Sequence, residues 1–327
     1  MRTTWLLIAM TVGLWACKGD KGDPGPAGND GRQGPPGPSV TIDGLDGGTV
    51  HGDSQVVGSL TVSGGLVAGG TMLTYARPPL VLAGVASDGC RIQPAAGSGS
   101  YNGNVTLPVR FPANPVVLAT IDETNDDYGP SWVRLLHLAP NRISFLCDLP
   151  ADAIHWFAIE PGVHTIDGKR VEAGIVSGPV SGGNVSFPAA FPTPPVVLLQ
   201  IDESGDNVGG QKSRVIGNPT TSGFQYWIDS NSDALHWVAF EPGTYVHGRY
   251  RWTAGTIPTN NTCTVPCTFS FPTALSTAPE ALVTVNDVDN AGADSARLYK
   301  VTPAQLQVRL NGGSTENLFY LLLEDLN

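Results

Sequence analysis

Pro115-Val116-Val117-Leu118, with Ile121-Asp122-Glu123 just after it, recurs 80 residues later as Pro195-Val196-Val197-Leu198 with Ile201-Asp202-Glu203. A continuous apolar run of this kind predicts a strand that is buried on both sides. A second run, His155-Trp156-Phe157-Ala158-Ile159, returns as His236-Trp237-Val238-Ala239-Phe240. Each copy of this second run is followed by Glu-Pro-Gly, which is typical of the end of a strand.

A third and more distant copy makes up the rest of the chain. It begins near Ala254-Gly255, which matches Ala173-Gly174, and ends on Leu318-Phe319-Tyr320-Leu321, where Phe-Tyr replaces His-Trp. No stretch longer than ten residues has helical periodicity without a Gly or Pro. We therefore expect an all-β fold with three tandem antiparallel β-sandwich domains, at residues 79–165, 166–248 and 249–327.

The composition narrows the range of functions. The chain of 327 residues has 18 basic and 29 acidic side chains and a net charge of −11, too few cations to neutralise a nucleic-acid backbone. The 40 glycines and 27 prolines disfavour long helices. The sequence has no Gly-x-Ser-x-Gly elbow, no phosphate-binding loop and no nucleophile beside a base, so we expect a protein that is not an enzyme.

Residues 17–39 contain a strict collagen-like pattern. Glycine occupies every third position from Gly19 to Gly37, which gives seven Gly-X-Y triplets. Only glycine fits at the crowded axis of a triple helix, so the period predicts three parallel chains and a homotrimer. A disordered Gly/Pro linker is the alternative. The Gly-rich residues 40–78, with short β-prone runs, are predicted to form a β-rich stalk, and the alternative there is a flexible spacer.

The N-terminus has the pattern of an export signal. Arg2 precedes a short apolar stretch that is too short to span a bilayer, so residues 1–16 are predicted to be a signal peptide. Leu14-Trp15-Ala16-Cys17 resembles the lipobox of bacterial lipoproteins, which implies lipid on Cys17, and ordinary signal cleavage is the alternative. Lys18, in place of the Asp that favours inner-membrane retention, points to the outer membrane or cell surface of a Gram-negative bacterium.

Residues 79–327 resemble the H-type lectin domain. The likeness lies in a Phe-x-x-x-Phe strand such as Phe187–Phe191, the Pro-Val-Val-Leu strand, an acidic loop, an Arg-containing strand and a terminal Trp-x-Ala strand. The resemblance implies six-stranded antiparallel sandwiches around a threefold axis that bind sugars near subunit interfaces. It also places Cys90 and Cys147 near the positions where the family ties its N-terminal segment to a later strand.

Cys263 and Cys267 enclose only three residues and are predicted to form a local bridge. Four cysteines beside Cys17 in an oxidising compartment favour disulfides, and a metal site is the rival.

Candidate ligand contacts are side chains that fall outside the shared repeat pattern. Trp132, Tyr226 and Trp227 lie next to polar loops and can offer an aromatic face to a sugar ring. Arg214 aligns with Arg134 and Arg297 in the other repeats and is a further candidate. Trp156 and Trp237, by contrast, are predicted to be core residues, and His155 and His236 to pack and hydrogen-bond, with Phe319 replacing them in the third repeat.

No cofactor is expected, although the acidic loops are candidate ligands for calcium. Carboxylates that converge can bind calcium, while solvated turns explain the same residues equally well. The residues concerned are Asp122, Asp126, Asp202, Asp206, Asp287 and Asp289.

Two functions follow as hypotheses. The leading one is a lipid-anchored, trimeric, adhesin-like protein whose lectin-like domains bind glycans or glycoconjugates through many weak sites. The alternative is a structural or protein-binding surface appendage without a sugar site. For assembly, we expect equivalent repeats of three chains to form stacked threefold layers; a ring of three repeats within one chain is the competing geometry.

The first prediction concerns the anchor. Replacing Cys17→Ser removes the sulfur that would carry lipid, so the protein should leave the membrane fraction and accumulate as soluble or unprocessed material. Fractionation and immunoblotting measure this, and unchanged membrane association of the variant would contradict lipidation at Cys17.

Overall fold

The computed structural model divides the chain into two units, Met1–Ala76 and Arg77–Asn327. It describes residues 66–68, 71–73, 81–86, 91–92, 101–123, 132–179, 181–204, 211–258, 266–271, 273–288, 295–311 and 316–326. The described part of the first unit is an antiparallel hairpin of β1 (Leu66–Ala68) and β2 (Thr71–Leu73). The predicted signal peptide, Cys17, the collagen-like segment and most of the predicted stalk lie outside the described residues.

The described residues of the second unit form strands and no helix, which confirms the all-β expectation. None of the described segments is a helix long and apolar enough to cross a membrane. The strands of the first repeat are β3 (Val81–Ala86), β4 (Arg91–Ile92), β5 (Tyr101–Thr106), β6 (Val116–Asp122), β7 (Val133–Ala139), β8 (Arg142–Cys147), β9 (Ala153–Ile159) and β10 (Gly162–Ile166). Those of the second are β11 (Lys169–Ser177), β12 (Gly182–Ser186), β13 (Val196–Asp202), β14 (Ser213–Thr220), β15 (Gly223–Ile228), β16 (Ala234–Phe240) and β17 (Gly243–His247). Those of the third are β18 (Tyr250–Pro258), β19 (Cys267–Ser270), β20 (Glu280–Asp287), β21 (Ser295–Val301), β22 (Gln305–Asn311) and β23 (Glu316–Asp325).

Each repeat has the same two-layer plan. Its inner layer places the terminal strand between the first strand and the Pro-Val-Val-Leu strand, in the orders β3-β9-β6, β11-β16-β13 and β18-β23-β20. Its outer layer has the orders β5-β8-β7, β12-β15-β14 and β19-β22-β21. In the first repeat, Val117 and Trp156 of the inner layer and Ile143 and Phe145 of the outer layer belong to one buried core cluster. The burial of Trp156 and Trp237 confirms that both are core residues.

A glycine makes room for the large aromatic residue of each terminal strand. Gly84 lies opposite Trp156, Gly174 opposite Trp237 and Gly255 opposite Tyr320. The aromatic ring covers the glycine so closely that an added Cβ at Gly84 would lie 2.9 Å from the Trp156 ring and one at Gly255 2.5 Å from the Tyr320 hydroxyl. The recurrence of Ala-Gly and Trp or Tyr in the repeats is therefore one packing contact, formed three times.

The three repeats close into a ring, because the outer layer of each repeat continues into the inner layer of another. The outer strands of the first repeat join the inner strands of the second in an eight-stranded sheet. The second and third repeats share a seven-stranded sheet in the same way, and the third and first share a six-stranded sheet. Each junction is a parallel contact, β7 with β13, β14 with β20, and β21 with β6.

This topology corrects the expected assembly. Stacked layers would need each repeat to pair with the same repeat of two other chains, but all three junctions form within one chain. The connections explain why: β10 leads into β11, and β17 into β18, by hairpins of two turn residues, which hold consecutive repeats side by side. In the first hairpin Asp167 and Gly168 both have positive φ, at 50° and 75°, as a tight Asp-Gly turn requires. The homotrimer predicted from the collagen-like segment stays a prediction.

The closed ring gives the second prediction. A fragment that starts at Tyr75 should be a monomer with β-sheet circular dichroism, because each repeat already finds both neighbours within its own chain. Light scattering on the purified fragment measures its mass. A trimer at micromolar concentration would mean that the junctions form between chains, as the stacked arrangement requires.

Candidate functional site

The junctions between repeats, which we call seams, have one geometry in common. Leu135 is paired with Asp202 at the first seam, Val215 with Asn286 at the second and Leu298 with Asp122 at the third. At two seams the next residue extends the contact: the Glu203 N–H donates to the Leu135 carbonyl, and the Glu123 N–H to the Leu298 carbonyl, each at 3.0 Å. The end of an inner strand of one repeat is therefore paired with an outer strand of the neighbouring repeat.

A buried arginine and a buried carboxylate occupy each seam. At the second seam Arg214 Nε lies 2.9 Å from Asp287 Oδ2, and Asp287 is fully buried. At the first seam burial raises the pKa of Glu203, and hydrogen bonds from Ser232 and Asp233, together with the charge of Arg134, oppose the rise. The residues at these positions of the third seam, Arg297 and Glu123, are both buried. The aligned arginines that the sequence singled out are therefore seam residues.

Two histidines connect adjacent repeats. His236 Nδ1 accepts a 3.0 Å hydrogen bond from the Val117 N–H of the first repeat, and its Nε2 lies 3.2 Å from Asp202 Oδ2. His155 Nδ1 likewise accepts from the Ala281 N–H at 3.0 Å, with Nε2 3.2 Å from Asp122 Oδ2. Because Nδ1 accepts the backbone proton, the ring proton must sit on Nε2 and point at the aspartate.

The partner aspartate at the first seam reflects this arrangement. Burial alone would raise the pKa of Asp202, but hydrogen bonds from His236 and Ser204 outweigh it and lower the pKa. In the third repeat Phe319 takes the place of the histidine, since it pairs with Thr284 as His155 pairs with Thr120. That replacement was expected from the sequence and is confirmed by the register.

Three hydrogen bonds run around the centre of the ring. The Ala119 N–H donates to Gln200 Oε1, the Leu199 N–H to Thr284 Oγ1 and the Val283 N–H to Thr120 Oγ1, each at 3.1 Å. These groups line a central cavity of about 60 Å³, which is also lined by Trp132, Lys212 and Ser295. Ordinary ligand pockets start at roughly 300 Å³, so the centre of the ring is too small for a sugar.

The sugar-binding candidates lie at different depths. Trp227 is half-buried with its ring 4.2 Å from the Arg214 guanidinium, and Trp132 is half-buried with its ring 4.9 Å from that of Arg134. Both indoles thus rest on seam arginines. Tyr226, in contrast, is a buried core residue beneath Gly183, so it offers a ligand almost no surface. Arg214 is held in the seam ion pair and serves as the support of Trp227.

The carboxylates proposed for calcium have other partners where the structure describes them. Asp122 and Asp202 face histidines, and Asp287 faces Arg214. Across the described ranges no group of three or more His, Cys, Asp or Glu side chains converges as a metal site requires. Asp126, Asp206 and Asp289 lie outside the described residues.

Cys147 and Cys267 are disulfide-bonded. No disulfide joins these two described cysteines to each other, and Cys90 and Cys263 lie outside the described residues. The pairings Cys90–Cys147 and Cys263–Cys267 stay predictions.

Sequence reasoning did not recognise that these polar groups join the repeats. The register makes Asn286 the counterpart of Asp122 and Asp202, so Asp287 corresponds to Glu123 and Glu203 rather than to the aspartates. Thr120, Gln200 and Thr284 could not be recognised from the sequence. Threonine and glutamine differ in chemistry, yet each accepts a hydrogen bond from a backbone N–H of a neighbouring repeat. Comparison with known proteins adds no relative: no family model, no curated protein and no solved structure matches the chain.

The third prediction tests the seam. Asp287→Asn removes the charge that faces buried Arg214, and should lower the free energy of unfolding by about 3–5 kcal/mol. The matched control is the double variant Arg214→Met with Asp287→Leu, which leaves no buried charge at this pair and should recover most of the loss. Chemical denaturation followed by circular dichroism measures both. A loss below about 1 kcal/mol in the single variant would contradict a dominant seam ion pair.

Proposed function

We propose that the chain is a carbohydrate-binding protein whose sugar contacts are the partly exposed indoles at the seams. The observation that carries the proposal is the stack of Trp227 on Arg214, where the arginine is itself fixed by Asp287 of the next repeat. An aromatic face supported from below presents its other side with little loss of side-chain freedom. Sugar rings bind through such faces, with hydroxyls met by nearby polar groups.

Polar groups beside this indole are suited to hydroxyl recognition. The backbone N–H groups of Gln211 and Lys212 both donate to Asp229 Oδ1, at 2.8 and 3.1 Å, which fixes a carboxylate two residues from Trp227. A carboxylate held by two backbone donors keeps lone pairs for the hydroxyls of a ligand. The position agrees with what the H-type lectin resemblance implies, namely sugar binding near the interfaces of a threefold assembly.

The ring offers one indole at each of two seams. Trp132 stands in the first repeat at the position of Lys212 and Ser295, while Trp227 stands in the second, at the position of Leu146 and Arg309. Trp132 immediately precedes β7, whereas Trp227 lies within β15, so the two sites differ in their surroundings and need not bind the same sugar.

Display on a surface would make weak sites effective. Lipid on Cys17 and a collagen-like trimer would hold three rings, and hence six seam indoles, on one anchored stalk. Several weak contacts on one rod raise the overall affinity for a surface that carries many copies of a glycan.

The fourth prediction follows from the supported indole. Trp227→Ala should weaken glycan binding by about tenfold, because one aromatic contact is worth roughly 1 kcal/mol or somewhat more. Trp227→Phe, which keeps an aromatic face on Arg214, is the matched control and should retain most of the binding. A glycan array with the full-length protein, with and without a calcium chelator, measures the effect. Failure to bind any glycan under both conditions would overturn the proposal and favour a structural or protein-binding appendage.

A further inference from the structure

The outer layer of the second repeat has an open groove on its solvent face. The groove measures about 450 Å³, within the range of ordinary ligand pockets. It lies on strands β12, β14 and β15, away from the inner layer. Its polar lining consists of uncharged side chains: Asn184, Ser186, Asn218, Thr220, Ser222 and Gln225.

At the same position the other two repeats have hydrogen bonds between side chains. In the first, Asn104 Oδ1 accepts hydrogen bonds from Arg142 Nη2 at 2.8 Å and from Ser144 Oγ at 2.6 Å. In the third, Gln307 Nε2 donates to Thr268 Oγ1 at 3.1 Å. These residues face each other across adjacent strands, as Asn104 with Ser144 and Thr268 with Gln307.

In the second repeat the corresponding pair is Asn184 with Gln225. Both side chains are exposed, and among the described residues neither makes a side-chain hydrogen bond. Gly223 stands where the first repeat has Arg142, so the second repeat lacks the arginine that donates to the asparagine in the first. The amide groups of Asn184 and Gln225 therefore lie side by side and face the solvent, whereas the corresponding side chains of the other repeats are hydrogen-bonded to each other.

A longer bulge raises one wall of the groove. Between Ile216 and Thr220 β14 advances four residues while β15 moves two, from Gln225 to Gly223. The bulges of the first and third repeats contain one extra residue instead of two, and they lie on the other side of the pair that corresponds to Ile216 with Gln225. Gly217 sits in this bulge with φ 61°, in the left-handed region, and next to it the side chain of Asn218 is exposed. Bulges that re-aim side chains in this way are common beside binding sites.

We propose that this groove is a second binding site, specific for a neutral, polyhydroxylated ligand such as an uncharged oligosaccharide. Amide groups both donate and accept, which suits vicinal hydroxyls, and no charged side chain lines the groove to favour an anion or a cation. Trp227 does not line the groove, although it lies two residues from Gln225 on the same face of β15.

The test uses variants that import the closed pairs of the other repeats. Asn184→Thr recreates the Thr–Gln pair of the third repeat, and Gln225→Ser recreates the Asn–Ser pair of the first. Because both pairs already occur at this position of the sheet, both variants should fold. Trp227→Ala tests the seam in parallel, and thermal melts by circular dichroism check that all variants fold. The full-length protein is titrated with neutral hexose and N-acetylhexosamine oligosaccharides, and with acidic oligosaccharides for comparison.

Each groove variant should lower the affinity for a neutral oligosaccharide by about five- to tenfold, while acidic oligosaccharides bind no better than background at the groove. A loss in the groove variants supports the site whether or not Trp227→Ala also lowers binding. If only Trp227→Ala lowers binding, the groove proposal falls and the seam proposal stands. If the wild-type protein binds no neutral oligosaccharide at millimolar concentration, the groove proposal falls as well.

Discussion

The ring depends on buried polar groups that can be satisfied only by a neighbouring repeat. A carboxylate such as Asp287, fully buried and facing Arg214, would be strongly unfavourable without its partner. The backbone N–H groups of Val117 and Ala281 likewise have their acceptors, His236 and His155, on the next repeat. A single repeat would expose these groups together with the apolar face of its inner layer. Closure of the ring is therefore a condition for stability of each repeat, and the seams fix where the strands and indoles of adjacent repeats meet.

A covalent ring also tolerates asymmetry that three identical chains could not. Val116 and Val196 belong to a core cluster that includes residues of all three repeats, but the corresponding position of the third repeat is Glu280. Burial raises the pKa of Glu280 to about 7, with the charge of Arg249 opposing the rise. In a homotrimeric ring this substitution would place three such carboxyl groups around one axis. Within one chain it occurs once, as does the replacement of a seam histidine by Phe319.

The sequence predicted the strands well and the connections between repeats poorly. Apolar runs identified the inner strands, and their recurrence identified the third copy and its Phe319, because burial within a layer leaves a regular pattern. Each seam has only one or two paired residues, so its partner cannot be recognised from any pattern along the chain. Tyr226 is different: Phe224, Tyr226 and Ile228 are buried while Gln225 and Trp227 are not, and this alternation was visible in the sequence.

The differences among the repeats are concentrated in the outer layers. The inner layers keep the same plan in all three repeats, with glycine opposite an aromatic residue and a polar group at the centre. The outer layers diverge: the second repeat alone combines Trp227 at a seam with the open amide groove, while the first and third fill the groove position with internal hydrogen bonds. Asn184 and Gln225 are exposed, and within the described part of the chain neither makes a side-chain hydrogen bond. Each outer layer is paired with its neighbour at only one or two residues, so the solvent face of the second repeat can differ from the other two while the inner layers keep the ring closed.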